Sequence, residues 1–205
     1  MRIGLFGGSF DPVHQGHLLL AETCREACQL DQVLFMPAAN PPHKQQQTLA
    51  AAKHRLEMLQ LAIAGNPAFV VSEMELQRGG TSYTVDTLSA LHEASPDHQY
   101  FLLMGADSLD DFPQWREPAR ICELAIPIVV RRRGAAPVDV QRLADLLPPP
   151  LLKKISNHQI DSPTIEISST EIRDRIAHDK STRYRLPRAV EAYIEAHRLY
   201  RTRKS

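Results

Sequence analysis

The sequence predicts an α/β protein built on a doubly wound parallel sheet, with helices on both faces and a helical segment at the C-terminus. Short apolar runs that resemble buried strands alternate with helical patterns, and this alternation favours parallel strands joined by helices. Hydrophobic residues make up 43% of the 205 positions, which is enough for a core and too much for a disordered chain. A glycine turn directly follows the first apolar run, as in α/β proteins that bind anions at a helix start.

Five apolar runs are predicted as strands because each is short, looks buried and is bounded by polar or turn-forming residues. Further strand-like pieces lie between residues 155 and 167. The five runs are Ile3–Phe6, Val33–Met36, Phe69–Val71, Tyr100–Met104 and Ile126–Val130.

The helices follow from periodicity and from capping signals. Aliphatic side chains recur on one face of the stretch 50–64, and Ser168 with Glu171 has the spacing of a capping box. Three consecutive prolines at 148–150 should end the helix before them, since proline cannot continue a helix. The predicted helices are Leu18–Cys28, Ala50–Ala64, Val85–Ala94, Trp115–Leu124, Asp139–Leu147, Ser169–Ala177 and Pro187–His197.

Composition limits the classes of function. Basic and acidic residues are equal at 24 each, so nothing draws the whole chain to nucleic acid or a membrane, and any anion site must be local. Cys24, Cys28 and Cys122 lack metal-ligand spacing and are expected as packed thiols in a reducing cytosol. No signal peptide is recognised, and the longest apolar runs are too short to span a bilayer. We expect one cytoplasmic domain over residues 1–205; its oligomeric state stays open, and a homo-oligomer is one state the sequence allows.

The most informative stretch runs from Gly7 to His17. Its first glycines let the backbone approach a phosphate, and the amides of the following helix start can point at an anion. His14 and His17 are three residues apart and therefore share one helix face. The stretch lacks the Gly-Lys-Ser/Thr of a P-loop and the glycines and acidic residue of a dinucleotide fingerprint. It predicts a polyphosphate held partly by imidazoles.

Polar groups follow the carboxyl ends of the predicted strands. Since ligands of doubly wound sheets bind beyond those ends, the groups should crowd one rim and form a site for a polyphosphate with a sugar. They are the stretches 7–17, 37–44, 105–108, 131–133 and 168–173.

Two of these stretches resemble the signature motifs of the nucleotidylyltransferase superfamily: Gly7–His17 resembles the first, and Ile167–Arg173 resembles the second, ISSTxxR. The resemblance runs from residue 3 to about residue 200 and is weak over 134–160. Four shorter motifs are similar to those of bacterial nicotinate-nucleotide adenylyltransferases: Pro41–Lys44, Ser82–Thr84, Gly105–Ser108 and Phe112–Trp115.

The resemblance implies a Rossmann-like fold and a reaction of NAD biosynthesis. ATP and nicotinate mononucleotide would give nicotinate adenine dinucleotide (deamido-NAD) and diphosphate, by direct in-line attack without a covalent intermediate. Residues 168–205 would complete the ATP site. Mg²⁺ would arrive on the phosphates of ATP, with no metal site of the protein's own.

The resemblance also assigns residues to each role. Lys44 would reach the triphosphate, Asp107 a ribose hydroxyl and Arg132 the phosphate of the mononucleotide; Arg55 is a weaker candidate for the triphosphate. The residues implied in catalysis are His14, His17, Lys44 and Arg173. Those implied in ATP binding are Gly7, Gly8, Ser9, Phe10, Gly16, Gly105, Asp107, Ile167, Ser168, Ser169 and Thr170. Those implied for nicotinate mononucleotide are Tyr83, Thr84, Trp115, Arg116 and Arg132.

Three alternatives remain open from the sequence. The same chemistry could act on another acceptor, such as nicotinamide mononucleotide or phosphopantetheine. The chain could be a non-catalytic nucleotide sensor, although such a module would be expected to lose His14, His17 or Arg173. The arginine run 131–133 could bind RNA, but it is short and the net charge of the chain is zero.

Overall fold

The sheet of this protein is parallel throughout. The structure, a computed structural model, describes residues 1–41, 49–132, 134, 136–163 and 165–201. Its strands follow the order β3-β2-β1-β4-β5-β6, which confirms the predicted doubly wound, Rossmann-like class. They are β1 (Arg2–Gly8), β2 (Gln32–Pro37), β3 (Phe69–Val71), β4 (Gln99–Gly105), β5 (Ala125–Arg132) and β6 (Gln159–Ser162).

Helices join the strands and cover both faces of the sheet. Within the described residues, two 3₁₀ turns supplement them, Phe112–Gln114 and Val140–Leu143. The α-helices are α1 (Gln15–Ala27), α2 (Ala52–Ile63), α3 (Met74–Arg78), α4 (Thr84–Ala94), α5 (Ala106–Asp111), α6 (Pro118–Leu124), α7 (Pro149–Asn157), α8 (Ser169–Ala177) and α9 (Arg188–Ala196).

The core consists of two layers, one on each face of the sheet. Along β4, Leu102 faces the layer under α4, α6 and α7, whereas Phe101 and Leu103 face the layer under α1, α2, α8 and α9. This alternation follows from the two-residue period of a strand. Because both faces are buried, the strands are almost continuously apolar, which is why the sequence reveals them.

The connections place a functional site between β1 and β4. From β1 the chain proceeds outward to β2 and β3, then crosses back to pair β4 with the other edge of β1. At this reversal the loops after β1 and β4 diverge and leave a crevice at the carboxyl ends of the strands. The ends of β1 and β4 carry Gly8 and Gly105.

Four details of secondary structure differ from the sequence prediction. The helix expected over 139–147 is only a 3₁₀ turn, and the prolines begin α7 instead of ending a helix, because a proline in the first helical turn removes no hydrogen bond. The helix expected from residue 115 starts only at Pro118, after the left-handed Glu117 (φ 53°). Within the stretch 155–167, where strand-like pieces are expected, β6 confirms a strand at Gln159–Ser162, but residues 155–157 belong to α7. The short helices α3 and α5 were not predicted, since so few residues show no periodicity.

The three cysteines are buried free thiols, as the sequence predicts. Burial raises the pKa of Cys122 to about 12, so this thiol stays protonated at neutral pH. Among the helices that the structure describes, none has the length and apolar character needed to cross a membrane.

Gly4, in the central strand β1, gives a test of core packing. A Cβ atom there would lie 2.8 Å from Leu30 Cδ1 and 3.0 Å from Leu103 Cδ1. We expect Gly4→Ala to lower the free energy of unfolding by about 1–3 kcal/mol through overpacking, measured by urea denaturation. Gly65→Ala is the control, because a Cβ atom at this exposed turn meets no described atom within 4 Å. Equal stabilities of the two variants would contradict this view of the β1 core.

Candidate active site

Two cavities flank the carboxyl end of β4. The first, of about 270 Å³, is lined by the end of β1, the start of α4 and the loop at 114–116. The second, of about 190 Å³, lies beside α1 and is lined by Gly16, Asp107 and Arg131, among others. Gly105 lines both cavities. The loop 7–17 also serves both, since Gly7, Gly8 and Ser9 face the first and Gly16 the second. The crevice therefore has room for two ligand groups, side by side.

Phe10 anchors the loop between β1 and α1. Its φ angle of 46° lies in the left-handed region, which turns the ring inward until the residue is only 1% exposed. The ring packs edge-on against Phe6 and His17, with centroid distances of 5.5 and 5.1 Å. Phe10, which the sequence assigns to ATP, therefore has its side chain in the core, and any contact with a ligand would have to come from its backbone.

The two histidines form a stacked pair at the start of α1. Their ring centroids are 3.7 Å apart, and the backbone N–H of His14 donates to His17 Nδ1 at 3.2 Å. Because that nitrogen accepts a hydrogen bond, the neutral ring of His17 carries its proton on Nε2. Gly16 makes the stack possible, since a Cβ atom at this residue would lie 3.1 Å from His14 Nδ1.

His14 is an uncharged imidazole at neutral pH. It is 6% exposed, and burial lowers its pKa from 6.5 to about 4, against a smaller raising effect of the Glu171 carboxylate. The side chain therefore offers hydrogen bonds and no positive charge in the ligand-free protein. A polyanion beside it would favour the protonated ring.

The start of α8 is fastened to the loop 7–17. Ser168 caps the helix by accepting the Glu171 N–H at 3.1 Å, as its position in the sequence predicts. The Ser169 hydroxyl donates to the Pro12 carbonyl at 2.9 Å, and Arg173 Nη1 donates to the Asp11 carbonyl at 2.7 Å. These bonds bring the two sequence motifs, more than 150 residues apart, to one place.

Arg55 has a different role from the one considered in the sequence. It is 2% exposed, and its guanidinium donates to three backbone carbonyls: Ser9 at 2.8 Å, Ala50 at 3.1 Å and Ala39 at 3.5 Å. Burial lowers the pKa of Arg55, an effect that the Asp11 carboxylate opposes. The side chain thus supports the glycine loop from below. Its position among the apolar residues of α2 was the only signal in the sequence.

Asp11 is a second residue whose role the sequence did not reveal. It is 1% exposed, and its Oδ1 accepts from the Tyr200 hydroxyl at 2.7 Å and from the Ala50 N–H at 3.3 Å. Oδ2 lies 3.9 Å from Arg173 Nη1. No local pattern could connect Asp11 with Tyr200, because 189 positions separate them.

The first cavity is shaped by α4 and the loop before α6. Tyr83 occupies the N-cap position of α4 with a ring instead of a capping hydroxyl or carboxylate, so its side chain leaves the first amides of the helix to a ligand. Thr84, Trp115 and Arg116 also line the cavity. The Arg116 guanidinium lies 4.9 Å from the Tyr83 ring centroid and donates to Asp86 at 3.2 Å, which links the two walls.

A buried hydrogen-bonded group supports this wall from behind. The Thr87 hydroxyl donates to Glu75 Oε1 at 2.7 Å, and Arg78 donates to Thr87 at 2.9 Å. Thr87 is fully buried, and Glu75 lines the cavity. The group joins α3 to α4 and thereby fixes the helix start. It was not predicted, because a threonine inside a helix shows no particular pattern.

The structure describes only some of the remaining predicted residues. Asp107 and Gly105 line the second cavity, and Ile167 packs against the core layer under α8. Arg131 is paired with Asp161 at 2.7 Å. Lys44 and the side chain of Arg132 lie outside what the structure describes. In the described ranges, no three His, Cys, Asp or Glu side chains are grouped so as to hold a metal ion.

Comparisons with known proteins give one consistent match. A family model described as Cytidylyltransferase-like matches residues 5–175. Relatives with the name "Probable nicotinate-nucleotide adenylyltransferase" include one from Thermomicrobium roseum, 45% identical over 98% of this chain and 92% of its own length. Another, from Thermus thermophilus, is 48% identical over 98% of this chain and 100% of its own length.

Solved structures share the fold at low sequence identity. The structure of Plasmodium falciparum nicotinic acid mononucleotide adenylyltransferase complexed with APC has a TM-score of 0.76 and 19% identity, and covers 97% of this chain and 96% of that chain. The same protein complexed with NaAD gives a TM-score of 0.76.

The buried imidazole of His14 predicts a pH dependence of stability. Between pH 6.5 and about 4 the His14 side chain is protonated in the unfolded chain but stays neutral in the folded protein. Folding stability therefore falls as the pH is lowered. The loss attributable to His14 is at most about 3 kcal/mol, and His14→Gln should abolish it. Urea denaturation from pH 7 to pH 4 measures the difference between the two proteins. His92→Gln, at an exposed position, is the control; parallel stability curves of wild type and His14→Gln would refute the assignment.

Proposed function

Because the chain belongs to the cytidylyltransferase-like family and, within it, to the nicotinate-nucleotide adenylyltransferases, we propose that its crevice joins ATP to nicotinate mononucleotide. The products are nicotinate adenine dinucleotide and diphosphate, and the reaction is a step of NAD biosynthesis. One observation carries the proposal for this site: the loop with the histidine pair lines both cavities, which meet at Gly105. A loop so placed can hold the reacting phosphates between two nucleotides.

The second cavity is proposed for the adenosine of ATP. Gly16 and Gly105 allow close approach of the nucleotide, and the Asp107 carboxylate accepts a hydrogen bond from a ribose hydroxyl. The triphosphate then lies across Gly7, Gly8 and Ser9 and the backbone at Phe10, near the amides that begin α1 and α8. At α8, Ile167, Ser168, Ser169 and Thr170 form the edge of the site, with Arg173 one turn beyond. Lys44 is proposed for the same phosphates.

The first cavity is proposed for nicotinate mononucleotide. Trp115 stacks on the pyridine ring, next to Tyr83. The amides of Thr84 and Arg116 donate to the ring carboxylate, and Arg132 holds the phosphate. Two amide donors suit a carboxylate, which accepts on both oxygens, better than a carboxamide, which presents donors of its own. This arrangement supports a preference for the acid over the amide.

The mechanism needs positioning and charge stabilisation more than acid–base chemistry. A phosphate oxygen of the mononucleotide attacks the α-phosphorus of ATP, and diphosphate leaves in line. The nucleophile is already an anion, so no general base or covalent intermediate is required. His14 and His17 donate hydrogen bonds to phosphate oxygens that gain charge in the transition state, and Lys44 and Arg173 bind the departing diphosphate.

A divalent metal ion belongs to the chemistry of nucleotidyltransferases. We propose Mg²⁺, brought in by ATP, because Mg²⁺ keeps much of its water and binds mainly through substrate phosphates. It would offset phosphate charge. Residues 1–205 are proposed to act as one catalytic unit in the cytoplasm, with 168–205 completing the ATP half.

The reaction is tested by diphosphate release. With ATP and Mg²⁺, we expect rapid release with nicotinate mononucleotide and at least about 10-fold slower release with nicotinamide mononucleotide, the size expected when polar groups of a site are left unpaired. A coupled pyrophosphatase assay measures both rates. Lack of release with either acceptor would exclude the proposed function, and faster release with the amide would reverse the proposed specificity.

His17→Ala tests the histidine pair. Loss of a preorganised donor to the reacting phosphate should lower kcat about 10²-fold or more, while the protein keeps its fold by circular dichroism. Steady-state kinetics with saturating ATP and nicotinate mononucleotide give the comparison. His92→Ala is the matched control at an exposed site and should keep the wild-type kcat. Normal turnover by His17→Ala would remove this residue from the mechanism.

A further inference from the structure

The C-terminal end of the described chain reaches back to the phosphate loop. The Tyr200 hydroxyl donates to Asp11 Oδ1 at 2.7 Å, and its ring packs against the core layer beneath α8 and α9. Asp11 itself is 1% exposed. This contact joins the last part of the fold to the turn that leads into His14.

The backbone at Tyr200 adopts an uncommon conformation. Its φ angle is 63°, in the left-handed region that is disfavoured for a residue with a bulky side chain. Such a conformation persists where surrounding contacts impose it. Here the hydroxyl bond to a buried carboxylate and the packing of the ring supply those contacts. Burial, followed by the Asp11 carboxylate, raises the pKa of Tyr200, so the hydroxyl remains a donor.

Asp11 lies close to Arg173 through both its backbone carbonyl and its carboxylate. Arg173 Nη1 donates to the Asp11 carbonyl at 2.7 Å, but it stays 3.9 Å from the carboxylate oxygen Oδ2. Oδ2 is buried and has no hydrogen-bond partner among the described residues. The Arg173 side chain is one quarter exposed, so part of it remains available to a ligand. Asp11 Oδ1 accepts two hydrogen bonds, and the one from the Tyr200 hydroxyl is the shorter.

We propose that Tyr200 is a positioning residue for the phosphate half of the site: by holding Asp11, it keeps the Arg173 guanidinium facing the phosphates of ATP. This inference rests on the proposed function, in which Arg173 binds those phosphates. Without the hydroxyl, the Asp11 carboxylate loses its best donor. It then draws Arg173 across the 3.9 Å gap into a charge-assisted hydrogen bond. Donors turned to Asp11 are lost to ATP and to diphosphate.

Tyr200→Phe tests this role by removing one oxygen atom and keeping the ring. We expect the KM for ATP and the inhibition constant of diphosphate to rise about 10-fold, the cost of about one hydrogen bond. The KM for nicotinate mononucleotide should stay within about two-fold, since its proposed cavity lies on the other side of Gly105. The control is Tyr193→Phe, which removes a hydroxyl bonded to Glu57 and His54 between α2 and α9, and should leave all three constants unchanged.

A merely structural role predicts a different result. It would lower the melting temperature of Tyr200→Phe and leave the constants for ATP and diphosphate at wild-type values, and that outcome would overturn the proposal. An equal rise in the KM of both substrates would also overturn it, because the effect would then not be confined to the phosphate half.

A second substitution examines the charge that the mechanism invokes. In Tyr200→Phe/Asp11→Asn the neutral amide no longer attracts Arg173, so the KM for ATP should recover at least half of the loss on a logarithmic scale. A double variant that binds ATP no better than Tyr200→Phe would contradict the proposal. Calorimetric titration of ATP into wild type and Tyr200→Phe makes the same comparison without turnover. An inactive wild-type protein would therefore refute the proposed function, while the ratio of dissociation constants would still decide the role of Tyr200.

Discussion

The site depends on hydrogen bonds that other segments of the chain make to the irregular loop between β1 and α1. In the proposed complex the loop between β1 and α1 exposes its backbone to a polyanion, so contacts from other segments must hold it in place. Distant side chains and backbone groups of other segments hold it. The tethers are Arg55 to the Ser9 carbonyl, Tyr200 to the Asp11 carboxylate, Arg173 to the Asp11 carbonyl, Ser169 to the Pro12 carbonyl, and the Gln15 amide to the Arg185 carbonyl. Most of them reach the loop from α8 and the chain beyond it, and the C-terminal helices are in this sense part of the β1 loop.

Burial explains both the strength and the limits of the sequence prediction. The sheet was predictable because buried parallel strands are continuously apolar, and the start of α8 was predictable because Ser168 and Glu171 interact locally. The start of α7 is not predictable from its prolines, because a run of prolines follows the end of a helix as readily as it begins one. The roles of Asp11, Arg55 and Tyr200 were missed because they arise between segments far apart in the chain. The motifs predicted which residues meet, whereas the bonds that hold them required coordinates.

Electrostatics divide the crevice into two unlike halves. The net charge of the chain is zero, and His14 is neutral in the ligand-free state because it is buried. In the proposed function, phosphate binding therefore rests on a few oriented donors and not on a general positive field. On the other side, Glu75 lines the first cavity beside the start of α4. In the proposed complex the ring carboxylate would meet both this acid and the amides of the helix, so recognition would depend on position more than on net charge.

Gly105, which lines both cavities, is not required by the packing of the folded protein. Gly4 is required by its neighbours, since a methyl group there would strike Leu30 and Leu103. At Gly105 the backbone is ordinary, and no described atom would lie within 4 Å of an added methyl group. The ligand-free protein therefore has room for alanine at this position. In the proposed complex an added methyl group would face both substrates, so its effect would appear in substrate binding and not in thermal stability.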